Sequence, residues 1–280
     1  MKTRLIIPIF IPFGGCANIC VFCDQKGITG LNAPPSTTEV RETVKTYLST
    51  WKGRGRREVA FYGGTFTALP LDIQRAYLEC VEQYLSNGLI HGLRVSTRPD
   101  AVSDDIVSFL KRHSVDTVEL GVQSMDDRVL ALSGRGHSAG DTVRAVKILK
   151  EHGMKVGVQV MPGLPGDDIG SVMDTAWRVA RLSPDFIRVY PAVVIKGTVL
   201  ERMYLDGRYT PWTLDEMVSA CKKVSAVFRL SGIRIIRMGL HATGELREKI
   251  VAGPYHPSFR NLVDTAPDIS HRQPDEGGVK

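Results

Sequence analysis

The chain has 280 residues, is 43% hydrophobic and carries a formal net charge of +6. That apolar content supports one large α/β domain or two ordinary ones and excludes disorder for the bulk of the chain. No window approaches the about 18 consecutive apolar residues of a membrane span, and the clustered cysteines lack the even-numbered framework of a secreted disulfide scaffold, so a reducing, cytoplasmic setting is expected.

Arg4 to Ile11 is a β-branched apolar run that reads as a strand, with Pro8 marking an edge or irregular one. A charged start before it suggests a signal peptide, but Pro8, Pro12 and the absence of a small-residue cleavage site argue against one. The loop that follows holds Cys16, Cys20 and Cys23. Ser36-Thr37-Thr38-Glu39 is a capping-box pattern opening a helix to about Thr50. The strand Glu58 to Tyr62 runs into Gly63-Gly64-Thr65. Helices are expected near Leu71 to Leu85, Asp104 to Arg112, Ala139 to His152 and Ile169 to Arg181, and strands at Leu93 to Ser96, Thr117 to Val122, Lys155 to Met161 and Phe186 to Tyr190.

Six strands alternating with helices imply a parallel sheet with right-handed crossovers. The unusual residues fall at strand ends, which favours a partial (β/α)6 barrel over an open doubly wound sheet and sends them to one mouth. Residues 1–210 are expected to form this core. Residues 211–264 form a helix and strand extension packed on it, and 265–280, rich in Pro, Gly and charge, form a disordered tail.

The C-x3-C-x2-C spacing lets one loop bring three thiolates around a soft metal centre, one short of the four ligands that close a structural zinc site or an ordinary iron-sulfur cluster. Cys80 and Cys221 lie on apolar helix faces and are expected to be buried small hydrophobes. Two readings follow: a cubane with one iron open to a further ligand, or a zinc loop with a distant fourth ligand.

Cys16, Cys20 and Cys23, with aromatic Phe22 before the last, resemble the C-x3-C-x-aromatic-C signature of radical S-adenosylmethionine (SAM) enzymes. Gly63-Gly64-Thr65 resembles the GGE-type motif in the variant of the Elongator-like and oxygen-independent coproporphyrinogen dehydrogenase-like branches. Ser96-Thr97-Arg98-Pro99-Asp100 resembles the Elongator-type E-T-R-P-D segment, with Ser96 replacing its glutamate. Glu119 to Ser124 matches E-x-G-x-Q-S, and Arg188 to Thr198 is similar to the Elongator segment after the last core strand. The resemblance implies a 4Fe-4S cluster on the three cysteines and SAM at its open iron. It also implies SAM contacts from Phe22, Gly63, Gly64, Thr65, Ser96, Arg98, Gln123, Arg135 and Gln159. His137 reads as a surface or capping residue.

The activity implied is reductive cleavage of SAM to a 5'-deoxyadenosyl radical that abstracts hydrogen, fed by a low-potential donor of ferredoxin or flavodoxin type. The chain is expected to end before any acetyltransferase domain. Substrate expectations are a tRNA, or else a small tetrapyrrole-like molecule or a peptide; an iron-sulfur electron carrier or redox sensor is the non-enzyme reading. No DNA-readout motif is present. The basic run Lys52 to Arg57 precedes a strand and belongs to the face opposite the mouth, while mouth loops mix Lys26, Arg98, Arg128, Arg135 and Lys196 with six aspartates, Asp24, Asp100, Asp126, Asp127, Asp167 and Asp168. Gly253 to Phe259 fits either a barrel-closing or substrate-side element or an ordinary packed loop.

Overall fold

The computed structural model describes residues 4–16, 20–25, 30, 33–240 and 244–267. In chain order these form β1 (Arg4–Ile11), α1 (Thr37–Thr50), β2 (Arg56–Gly63), α2 (Leu71–Ser86), β3 (Leu93–Thr97), α3 (Asp104–Arg112), β4 (Val115–Gln123), α4 (Asp127–Leu132), α5 (Ala139–Glu151) and β5 (Lys155–Val160). Then follow α6 (Ile169–Arg181), β6 (Phe186–Val189), β7 (Val194–Ile195), α7 (Val199–Leu205), α8 (Leu214–Leu230), β8 (Arg234–Met238), α9 (Gly244–Glu248), β9 (Ile250–Ala252) and α10 (Phe259–Thr265).

Capping chemistry sets most helix starts. Ser36, Ser138, Asp168 and Thr213 each close a capping box, a device that contributes on the order of 1 kcal/mol per helix. The strands join in the order β1-β2-β3-β4-β5-β6-β8, every pair parallel, as a curled half-barrel. The sheet therefore has seven strands, one more than the six expected. The extra strand comes from the expected extension: Met217, Cys221, Val224 and Phe228 of α8 join the main core, so the chain returns parallel to β6 like the earlier crossovers. β1 and β8 are the two edges, and Pro8 sits where an edge tolerates it. Thr265, expected to open the tail, instead closes α10, and residues 268–280 lie outside the described residues.

The strands alternate with period two. Val59, Phe61, Val95, Val118, Leu120, Val156, Val158, Ile187 and Val189 are buried with the helices in one core. Glu58, Tyr62, Arg94, Ser96, Glu119, Gln123, Gln159 and Arg188 occupy the alternate positions and line the inner face. A parallel sheet covered on both faces would be apolar throughout. The polar alternation instead marks an inner face left for something other than a helix.

Cys80 and Cys221 are buried in the main core, as expected. Burial pushes their thiols up, to about 11 and about 12. They behave as inert hydrophobes.

Candidate functional site

The cysteine loop leaves β1 at its C-terminal end through a turn in which Cys16 N donates to Phe13 O at 3.1 Å. Residues 17–19 of the loop lie outside the described residues. Farther on, Cys23 N donates to Cys20 O (3.0 Å), and Phe13 N donates to Gln25 Oε1 (2.6 Å). Val21 anchors the loop from both sides: its N–H donates to Ser133 O at 3.1 Å and its carbonyl accepts from Leu200 N at 2.7 Å. Phe22 packs against two small apolar clusters, one around Val194 and Leu200, the other around Val129 and Leu164. The aromatic before the last cysteine is thus a hydrophobic clamp on the loop.

Two glycines bring backbone against backbone. A Cβ on Gly64 would lie 1.9 Å from Gly14 O, and Gly63 adopts φ +103 with Ile11 O 2.7 Å from where its Cβ would be. Only glycine meets both demands. Thr65 N donates to Gly14 O at 2.6 Å, and Thr65 Oγ1 lies 3.5 Å from Cys16 Sγ. Ser96 borders a small void shared with Gly14, Tyr62 and Gly64. These contacts tie the ends of β2 and β3 to the cysteine loop.

Arg135 reaches in from the turn after α4. Its Nη1 donates to Cys20 Sγ at 3.0 Å and its Nη2 to Gly121 O at 2.5 Å. Arg98 is clamped by both oxygens of Asp100, at 2.9 and 2.5 Å. That pairing raises the guanidinium's pKa, with smaller contributions from Cys20 and Cys16. Gln123 stands at a bulge ending β4, in a left-handed conformation (φ +68) that costs a non-glycine residue on the order of 1 kcal/mol. Bulges recur beside active sites because they re-aim a side chain; here Gln123 Oε1 accepts from Gln159 Nε2 at 3.3 Å.

His137, expected at the surface or as a cap, is buried instead. Its Nε2 faces Val122 O at 3.2 Å. Burial first, then the Arg135 charge, lower its pKa to about 4, so it is neutral at physiological pH. Around the loop, Arg98 Nη1, Ser133 Oγ, Arg135 Nε and His137 Nδ1 are buried without hydrogen-bond partners among the described residues. Such atoms normally find partners, and a cluster of exceptions calls for an explanation.

The three thiols are sulfur donors in a low-dielectric place. Burial, then the Cys20 and Cys16 charges, push the Cys23 thiol up to about 12. A cationic centre reverses that penalty, because a coordinating thiol is deprotonated outright. The donor set therefore fits a soft metal or iron-sulfur group. Among the described residues no three metal-ligating side chains already converge on one point; Cys16 and Cys20 rest against Thr65 and Arg135.

The mouth aspartates mostly serve backbone N–H groups. Asp126 and Asp168 are N-caps, Asp127 accepts from Ala139 N, and Asp167 accepts from Gly163 N. Burial pushes the Asp167 carboxyl up to about 6. Lys26 lies outside the described residues. The basic run falls at the N-terminal end of β2 as expected. There Arg56 pairs with Glu58 and Asp116, while Arg57 Nη2 donates to Gly88 O at 2.9 Å.

Sequence reasoning missed one feature, a charge ladder across the inner face. Arg94 Nη2 meets Glu58 at 2.5 Å, and its Nη1 meets Glu119 at 2.5 Å. Arg188 Nε meets Glu119 at 2.7 Å, and Arg188 Nη2 and Tyr62 OH, 3.0 Å apart, close the group. Arg4 adds a contact to Glu58 at 2.6 Å. The sequence signals it only in part: Glu58, Arg94, Glu119 and Arg188 each stand among apolar residues of β2, β3, β4 and β6, while β5 supplies Gln159 rather than a charge to the same face.

The Radical SAM superfamily model matches residues 10–177, and the Radical_SAM C-terminal domain model matches residues 184–266. Among curated proteins, an uncharacterized protein of Methanocaldococcus jannaschii is 33% identical over 204 residues, covering 70% of this chain and 62% of that protein. A tRNA uridine(34) acetyltransferase of Dehalococcoides mccartyi is 27% identical, covering 76% of this chain and 54% of that one. The solved structure of Methanocaldococcus infernus Elp3 with an N-terminal deletion superposes with a TM-score of 0.73 at 22% identity, over 94% of this chain and 62% of that one. The chain thus spans between about half and two thirds of the length of these relatives.

Proposed function

The chain belongs to the radical SAM superfamily and is an enzyme of that kind, and we propose that it holds a 4Fe-4S cluster on Cys16, Cys20 and Cys23, binds SAM beside it, and modifies a tRNA. The observation that carries the reading is the presence of three thiols on one short loop beside buried polar atoms of Arg98, Arg135 and His137 that have no partner among the described residues. Zinc closed by a distant fourth ligand would leave those atoms unexplained.

When bound, the cluster and SAM together supply a one-electron cleavage of the sulfonium that yields methionine and a 5'-deoxyadenosyl radical, the electron coming from a low-potential ferredoxin or flavodoxin type donor. The protein's own residues supply position and exclusion. Arg135 and Arg98 present guanidinium hydrogens suited to a carboxylate. The glycine pair at Gly63 and Gly64 lets the end of β2 close against Ile11 and Gly14, which holds the start of the cysteine loop at the C-terminal ends of the strands. Gln123 and Gln159, already joined to each other, offer amide donors and acceptors toward an adenosine. Neutral His137 keeps an imidazole nitrogen free to accept. The Phe22 clamp and the loop anchors at Val21 seal the flank of the site, keeping water away from a reactive species.

The tRNA assignment takes its support from the similarity to a tRNA uridine(34) acetyltransferase. Nucleoside mass spectrometry of tRNA from a strain lacking the protein tests it. One modified nucleoside should disappear and return on complementation; an unchanged profile would remove tRNA as the substrate and turn the search to small molecules and peptides.

A further inference from the structure

At the far edge of the sheet from the cysteine loop, the C-terminal end of β8 forms one wall of a solvent-open cleft of about 270 Å³. The opposite wall is the segment from His256 to Asn261, which contains the end of the Gly253 to Phe259 stretch noted in the sequence. Gly239 fixes their approach: it adopts φ +85, and a Cβ there would lie 2.8 Å from Phe259 Cβ. Because β8 runs parallel to every other strand, this cleft opens at the same end of the sheet as the mouth.

Its lining is cationic. Arg237, His256 and Arg260 contribute to it together with Ser258 and Asn261, and none of its lining residues is Asp or Glu. Arg237 pairs in register with Arg188, so it continues the inner-face ladder by one strand. Arg188 is matched to Glu119, but the Nε of Arg237 is buried with no hydrogen-bond partner among the described residues. Arg260 Nη1 donates to Ile235 O at 3.1 Å and its Nε lies 3.5 Å from Asp264, and the residue contributes to the lining of the cleft. His256 Nδ1 accepts from Ser258 N at 3.1 Å, so the ring proton sits on Nε2 as a further donor.

We propose that this cleft is a phosphate-binding subsite at the rim of the mouth. Two guanidiniums, an imidazole N–H, a hydroxyl and a carboxamide surround an opening with no competing carboxylate among its walls, the donor set that a phosphate takes. It holds a phosphate of the substrate while the reacting carbon lies over the centre of the sheet. That this phosphate belongs to an RNA backbone rests on the tRNA reading above; the phosphate site itself does not.

The test compares the full chain with Arg237→Met, Arg237→Lys, His256→Ala and Arg260→Met, with Arg54→Met, exposed at the opposite end of the sheet, as control. Circular dichroism and thermal melting verify folding, and the conservative Arg237→Lys keeps a charge if Arg237→Met proves unstable. Binding of unmodified tRNA is measured against salt, and ³¹P line broadening is followed for inorganic phosphate and uridine monophosphate. The slope of log K against log salt should fall by about 1 for each arginine removed and stay unchanged for Arg54→Met. Line broadening should vanish in Arg237→Met and persist in Arg237→Lys. Equal tRNA slopes and equal line broadening in every variant would overturn the subsite while leaving the tRNA reading intact. Phosphate binding lost in the variants, with no tRNA binding by any protein, would keep the subsite and overturn RNA as its source. Absence of both kinds of binding in the unaltered chain would overturn the subsite.

Discussion

Two buried polar regions share the inner face of one sheet, and they are finished to different degrees. In the ladder of Glu58, Arg94, Glu119, Arg188 and Tyr62, each carboxylate is flanked by guanidiniums, Arg94 lies between two carboxylates, and Arg188 is held by Glu119 and the Tyr62 hydroxyl. Around the cysteine loop, Arg98 Nη1, Arg135 Nε and His137 Nδ1 are buried without partners among the described residues, while the other nitrogens of these side chains are paired. A satisfied network explains itself as structure. An unsatisfied one, with four such atoms gathered around one loop, is what a bound ligand would complete.

The largest break comes at the thiols. Replacing Cys20 with Ala should abolish incorporation of iron during anaerobic reconstitution, read by iron and sulfide analysis and by the cluster's visible absorption. Iron loading equal to that of the unaltered chain would remove Cys20 from the ligand set. The melting temperature should change little, because this half of the comparison is organised for binding.

The ladder should behave in the opposite way. Glu58 is 1% exposed, and Glu58→Gln leaves Arg94 charged and poorly matched in the interior, at a cost of about 3–5 kcal/mol in urea unfolding at neutral pH. Burial opposes ionisation of Glu58, but Arg94, Arg56 and Arg4 outweigh it and lower the carboxyl to about 2. A folded-state value below the unfolded one stabilises the protein above the unfolded value of 4.5, and the contribution drains away as pH falls from there toward 2. In Glu58→Gln that part of the acid-side slope should be missing.

Arg135→Gln sharpens the contrast with a smaller effect. It removes a charge-assisted donor from the thiol loop, so SAM affinity should fall by about 10- to 100-fold. Equilibrium dialysis with the reconstituted protein reads that change, with unfolding stability nearly unaltered. Equal SAM affinity in the variant would assign Arg135 to the loop alone.

Much of this was legible beforehand. Capping boxes at Ser36 and the βα alternation are local signals, and local signals survive into the fold. The cysteine spacing, Gly63-Gly64 and Gln123 were visible because each is a residue type that a strand end does not otherwise ask for. The seventh strand was less legible: Arg234 to Met238 carries two arginines, and its pairing with β6 depends on α8 docking far along the chain. His137, expected at the surface or as a cap, is buried for a similar reason, since its turn is held inward by the contact of Arg135 with Cys20. The ladder escaped notice because each charge looks like a surface residue within its own strand. Only the register of neighbouring strands brings them together.

The central claim is that the unfinished region is completed by a cluster and SAM acting together. Anaerobic incubation of the reconstituted chain with SAM and dithionite, followed by chromatography of the products, tests it most directly. The account predicts 5'-deoxyadenosine and methionine in equal amounts, both absent with Cys20→Ala; an intact cluster in the unaltered chain that yields no 5'-deoxyadenosine would contradict it.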